Sequence, residues 1–179
     1  MSLKAWKDLY PEAEVIGPQG LDVNLKDVKF DFIFTPENLE RTFGNNEIIA
    51  HYFPGFETKE IAFLHVPSRS LMNADLAENL PAKEAFSQSG VDPLTGWKTS
   101  LFIKIFTPNN WIHNFAVWYL FSKDKVYGSV GSTANTSAMK RDVKVVSSWN
   151  FDRLIPCHGD VMETGAKKWW DELYSRFLV

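Results

Sequence analysis

The chain has 179 residues, 45% hydrophobic and 23% charged, a balance that suits a folded domain with a sizeable core. A net charge of −3, with no Lys/Arg cluster to neutralise a run of phosphates, argues against nucleic acid or an anionic membrane as the main partner. The single cysteine, Cys157, excludes an internal disulfide and a multi-cysteine zinc cage.

Leu3, Trp6 and Tyr10 fall at helical spacing, with Pro11 ending the helix and no clear N-cap before it. This start reads as an amphipathic helix and not as a signal peptide. Glu14 to Gly17 reads as a short strand before a Gly-Pro-Gln-Gly turn, and Phe30, Phe32 and Phe34 alternate as a second strand. Pro36 to Asn46 reads as a polar loop. Glu47 to Phe53 is a strand with Ile49, His51 and Phe53 on one side.

The run Ile61 to Leu64, bounded by turn residues, predicts a strand covered on both faces. A short turn at Pro67–Ser70 returns the chain through Leu71 and Met72, and Asp75 stands where that strand runs out. A carboxylate at a strand end is a place where a rigid scaffold presents chemistry. Lys83 to Gln88 reads as one helical turn, and Ser89 to Gly96 as a loop. Leu101 to Phe106 fits a strand or a helix equally well. Asn109 to Phe121 predicts a buried helix capped by Asn109 or Asn110. Its apolar part, Phe115 to Phe121, is far short of the roughly 20 residues that cross a bilayer. Met139, Val143 and Val146 share one helix face, Leu154 and Ile155 form a short strand, and Ala166, Trp169, Leu173 and Phe177 mark a closing helix. No repeat or linker divides the chain, so 1–179 reads as a single domain, soluble and cytoplasmic.

Two segments carry a resemblance: Pro54-Gly55-Phe56-x-Thr58 leading through Ile61–Leu64 to Asn73-Ala74-Asp75, and Phe151-Asp152-Arg153-Leu154-Ile155-Pro156-Cys157-His158-Gly159. Together they look like the second half of the metallo-β-lactamase fold, and are most similar to a short branch of that superfamily without a known function. The resemblance implies an α+β fold, an αββα sandwich incomplete at its N-terminus, with the first metal motif absent. In such a fold a metal-bound water near neutrality attacks an ester, amide, thioester or phosphodiester. By resemblance, Asp75 matches the bridging aspartate and His158 the final histidine, a partial metal site. Phe56 stands where the family has a histidine ligand, and the His-x-His-x-Asp-His motif is missing. Two ligands fall short of a zinc site, which is almost always four-coordinate.

Read without the resemblance, Asp75 caps a turn and His158 is a hydrogen-bonded structural histidine. His51 and His65 lie on neighbouring strands close enough to approach each other, and His113 reads as packing or surface. Cys157 reads as a small core residue and not as the partner of His158, since neighbouring strand side chains point apart. Asp160 and Glu163 fit a capping box, and the rings of Trp111 to Phe121 fit a core.

Three functions follow from these residues. The first is a metallo-β-lactamase-like protein with a degraded metal site, catalytically inactive and holding no cofactor. The second is a metal-dependent hydrolase of an ester, lactone or thioester, its zinc, iron or manganese site completed by His51, His65 or another chain and its substrate a small molecule. The third is a non-enzymatic module that pairs through an exposed strand edge, with a second copy of itself or a partner.

Overall fold

The computed structural model describes residues 2–56, 58–95, 100, 103, 110–115 and 136–179. A five-stranded sheet runs in the order β3-β4-β5-β6-β7, built from Glu40–Phe43, Ile48–Phe53, Glu60–His65, Ser70–Asn73 and Arg153–Pro156. The first four strands form an antiparallel meander, and β7 joins β6 in parallel. A smaller parallel pair, β1 (Ile16–Pro18) and β2 (Phe32–Phe34), forms a second sheet.

Period-2 alternation sorts the large sheet into two faces. His51, Phe53, Ala62, Leu64, Leu71 and Leu154 point one way, and pair in register across four strands. Onto this face come α4 (Thr136–Ser147), α5 (Ala166–Leu173) and α6 (Ser175–Leu178), bringing Met139, Val143, Val146, Trp169, Trp170, Leu173 and Phe177 into one core. Trp170 stands edge-on to Phe151 at 6.3 Å and meets Tyr174 at 4.5 Å, contacts that add about 1 kcal/mol each beyond area burial. The opposite face, with Ala50 and Tyr52, meets Phe34, Ile16 and Phe32 of the small sheet. Short helices α1 (Leu3–Leu9) and α2 (Leu21–Asn24) accompany that small sheet, and α3 (Lys83–Phe86) lies in the connection after β6. The result is a mixed α/β sandwich with a central sheet flanked by helices.

Several expectations are corrected. Helix α1 does have an N-cap, since Ser2 Oγ accepts from Ala5 N at 3.3 Å. The segment read as a loop from Pro36 to Asn46 contains β3, an edge strand whose charged residues hide it from a hydrophobic pattern. Its turn uses positive φ at Gly44 (55°), Asn45 (55°) and Asn46 (71°), a hairpin chemistry legible in the Gly-Asn-Asn run. Strand β5 is not covered equally on both faces: Glu60, Ala62 and Leu64 are buried, while Ile61, Phe63 and His65 are partly open. The closing helix is two helices, broken at Tyr174, yet all four of its predicted core residues are buried.

Asn110 caps the helical turn at 111–115, its Oδ1 accepting from Ile112 N. That turn is not wholly core, because Trp111 is 75% exposed while His113 is buried. The rest of the predicted 109–121 helix, and all of 101–106 except Ile103, lie outside the described residues.

Candidate functional site

Strands β6 and β7 run parallel with Asn73 opposite Pro156, so both end on the same side of the sheet. Carrying that register two residues further sets Asp75 against His158. Their side chains meet there, with His158 Nε2 at 3.3 Å from Asp75 Oδ1. Both remain open to water, with 59% and 35% of the side-chain surfaces exposed.

The loops that carry the pair are tied to one another and to the core. Asn79 N donates to His158 O at 3.1 Å, Asp160 N donates to Asn79 O at 2.9 Å, and Asn79 Nδ2 donates to Asp160 O at 2.7 Å. Gly159 makes this approach feasible: its φ is +116°, and a Cβ there would stand 2.1 Å from Asn79 O. From below, the Tyr174 hydroxyl donates to Leu76 O, and Asn73 Nδ2 donates to Ala74 O and Ala77 O. Burial holds the Tyr174 phenol well above the usual range, with the negative charges of Glu60 and Glu78 adding to it.

Two further carboxyl groups surround the pair. Burial raises the Glu60 carboxyl above its ordinary value; the Thr58 hydroxyl pulls it back, and the charge of Asp75 adds to the rise. Glu60 accepts from Thr58 Oγ1 at 2.9 Å and from Ala74 N at 3.3 Å. Glu78 is raised by burial, lowered by the charge of His158 and raised by that of Asp75. Neither stood out in the sequence, because nothing local marks a glutamate that the fold will bury.

A zinc or iron centre does not fit these residues. Among the described residues, no group of three or more His, Cys, Asp or Glu side chains is arranged to hold a metal ion. Phe56 occupies the Pro-Gly turn as expected and is 3% exposed, its ring in the main core with Phe53, Leu76 and Ala62. His51 and His65 do not complete the site. His51 lies on the helix-covered face opposite Ala62, whereas His65 points to the other face and sits at the hairpin end of β5, away from Asp75. They do not approach each other.

His51 has other partners. Its Nδ1 is 3.1 Å from Glu40 Oε1 and its Nε2 is 3.0 Å from Asp142 Oδ1. Arg141 donates to both oxygens of Asp142, at 2.7 and 3.1 Å. His51 is 1% exposed and Asp142 fully buried. This cluster went unread, although a carboxylate on the apolar Met139–Val143–Val146 face was a visible signal for it.

Cys157 is exposed and not core, because β7 has ended at Pro156. Asp160 and Glu163 form no capping box. Asp160 Oδ1 accepts from Glu84 N, Glu163 pairs with Arg153, and Asp152 Oδ1 accepts from Gly165 N at the start of α5. A groove of about 620 Å³ beside Arg69, Asp152 and Lys168 contains none of Asp75, Glu78 or His158.

An imidazole and carboxylates are thus gathered at one end of the sheet of a layered α/β sandwich. No protein-family model and no curated protein sequence matches the chain. Among solved structures it is similar to a crystal structure of DIM-1 metallo-β-lactamase exposed to ceftazidime, at 13% identity and a TM-score of 0.48. The match covers 96% of this chain and 60% of that one, so this chain spans less than two thirds of the lactamase. No chemistry passes across so distant a likeness, and the site stands on its own residues.

Proposed function

We propose that this protein is a binding protein built on a metallo-β-lactamase-like scaffold, with a degraded metal site and no metal-dependent hydrolase activity. The observation that carries this reading is the Phe56 ring. It fills core space where the resemblance calls for a metal-binding imidazole, so no rotation of that side chain supplies a ligand. Asp75 and His158 then remain as two donors beside each other, short of the four a zinc site usually takes. Their exposed carboxylate and imidazole offer hydrogen bonds to a small polar ligand, steadied by the Asn79–Gly159 tie.

The test is turnover of an ester, lactone and thioester panel with zinc, iron or manganese added. The expected result is no rate above buffer for wild type, Asp75→Ala or His158→Ala. Turnover by wild type that either substitution abolishes would overturn the proposal and favour a working metallohydrolase.

A further inference from the structure

The small sheet covers the second face of the large sheet over β4, with Phe34 against Ala50 and Tyr52. Further along that face lies an open groove of about 390 Å³, within the size range of small-molecule sites. Its apolar wall is Ile61, Phe63 and Met72, all partly exposed, with Pro18 and Cys157 also lining it.

Asn73 and Ala74 extend the lining toward Asp75, and two charged residues complete it. Glu60 has its carboxyl oxygens turned to Thr58 Oγ1 and Ala74 N, which leaves it little to offer a ligand. Lys59 differs. Its backbone is held at φ 54°, a left-handed conformation that costs a lysine about 1–2 kcal/mol. Its Nζ is carried over Gly20, 3.8 Å from where a Cβ would stand. Lys59 forms no ion pair among the described residues. A strained lysine with an uncommitted ammonium beside an apolar wall is an arrangement that recognises an anionic head on an apolar tail.

We propose that this groove binds a small amphipathic carboxylate, with its apolar tail on Ile61, Phe63 and Met72 and its head on Lys59. The site abuts the Asp75–His158 pair through Ala74 and Cys157, and uses neither of that pair's side chains.

Cys157 provides the readout, since it is exposed at the groove and is the one cysteine in the chain. The full chain is alkylated with N-ethylmaleimide, a neutral reagent, in the presence of increasing decanoate or decanol. Decanoate is expected to slow alkylation saturably, at about fivefold lower concentration than decanol, the size of one exposed ion pair. Lys59→Met should bring the two ligands level, and Lys59→Arg should keep the preference. Lys59→Gln replaces Lys59→Met if the methionine chain fails to fold. Absence of protection below the micellar range, or equal protection by decanoate and decanol in the wild type, would overturn the proposal. Neither outcome bears on the metal content of the protein.

Discussion

His158 Nε2 lies 3.3 Å from Asp75 Oδ1, although the two residues come from distant parts of the chain. Parallel pairing of β6 with β7 brings them level, and the Asn79–Gly159 bridge holds their loops together. If that bridge positions the pair, adding one methyl group should disturb it. Gly159→Ala places a Cβ against the Asn79 carbonyl and strains a positive φ, and should cost about 2 kcal/mol or more. Urea denaturation reads the loss, and the His158 imidazole resonances should shift in the folded variant. Unchanged stability and resonances would count against the tie.

Phe56 tests the scaffold from the other side. Phe56→Ala should cost about 3 kcal/mol, as for other buried aromatic rings. Phe56→His should also destabilise and should gain no zinc, since its side chain points into the core. A stable Phe56→His chain that binds zinc would show that the turn presents this position to the site.

The His51–Asp142 contact predicts a strong non-additivity. Asp142→Leu leaves His51 and Arg141 without their carboxylate partner and should cost about 3–5 kcal/mol. The joint change His51→Leu with Asp142→Leu should recover most of that loss, because well-packed apolar residues replace a buried hydrogen-bonded pair with little cost. A double-mutant cycle in guanidinium chloride reads the coupling. Additive single costs would refute it.

Burial favours the protonated forms of Glu60 and Glu78. Above their ordinary value of 4.5 the folded chain therefore holds more protons than the unfolded one. Their contribution to stability is complete below about pH 4.5 and is lost as the pH rises through the raised folded values. Glu78→Gln should be more stable than wild type at neutral pH, with a shallower decline from about pH 4.5 upward. Thermal unfolding across that range decides it, and parallel curves for the two chains would contradict it.

The strands β4 to β6 were legible as short apolar runs bounded by turn residues, and α4 because Met139, Val143 and Val146 recur at helical spacing. What escaped depended on distant partners. Strand β3 is charged, and only its pairing with β4 makes it a strand. Asp160 and Glu163 had capping spacing, but Glu84 and Arg153 claim their side chains. Asp75 and His158 were found by resemblance, whereas the burial of Glu60 and the half-burial of Glu78 come from tertiary packing that no local pattern announces.

The central claim is that one end of this sheet retains an acid and an imidazole without a metal centre. Elemental analysis of the purified full chain, after exchange into zinc-, iron- and manganese-supplemented buffer and then metal-free buffer, tests it most directly. The account predicts metal far below one ion per chain, unchanged by Asp75→Ala or His158→Ala. Near-stoichiometric metal in wild type, lost in both variants, would contradict it.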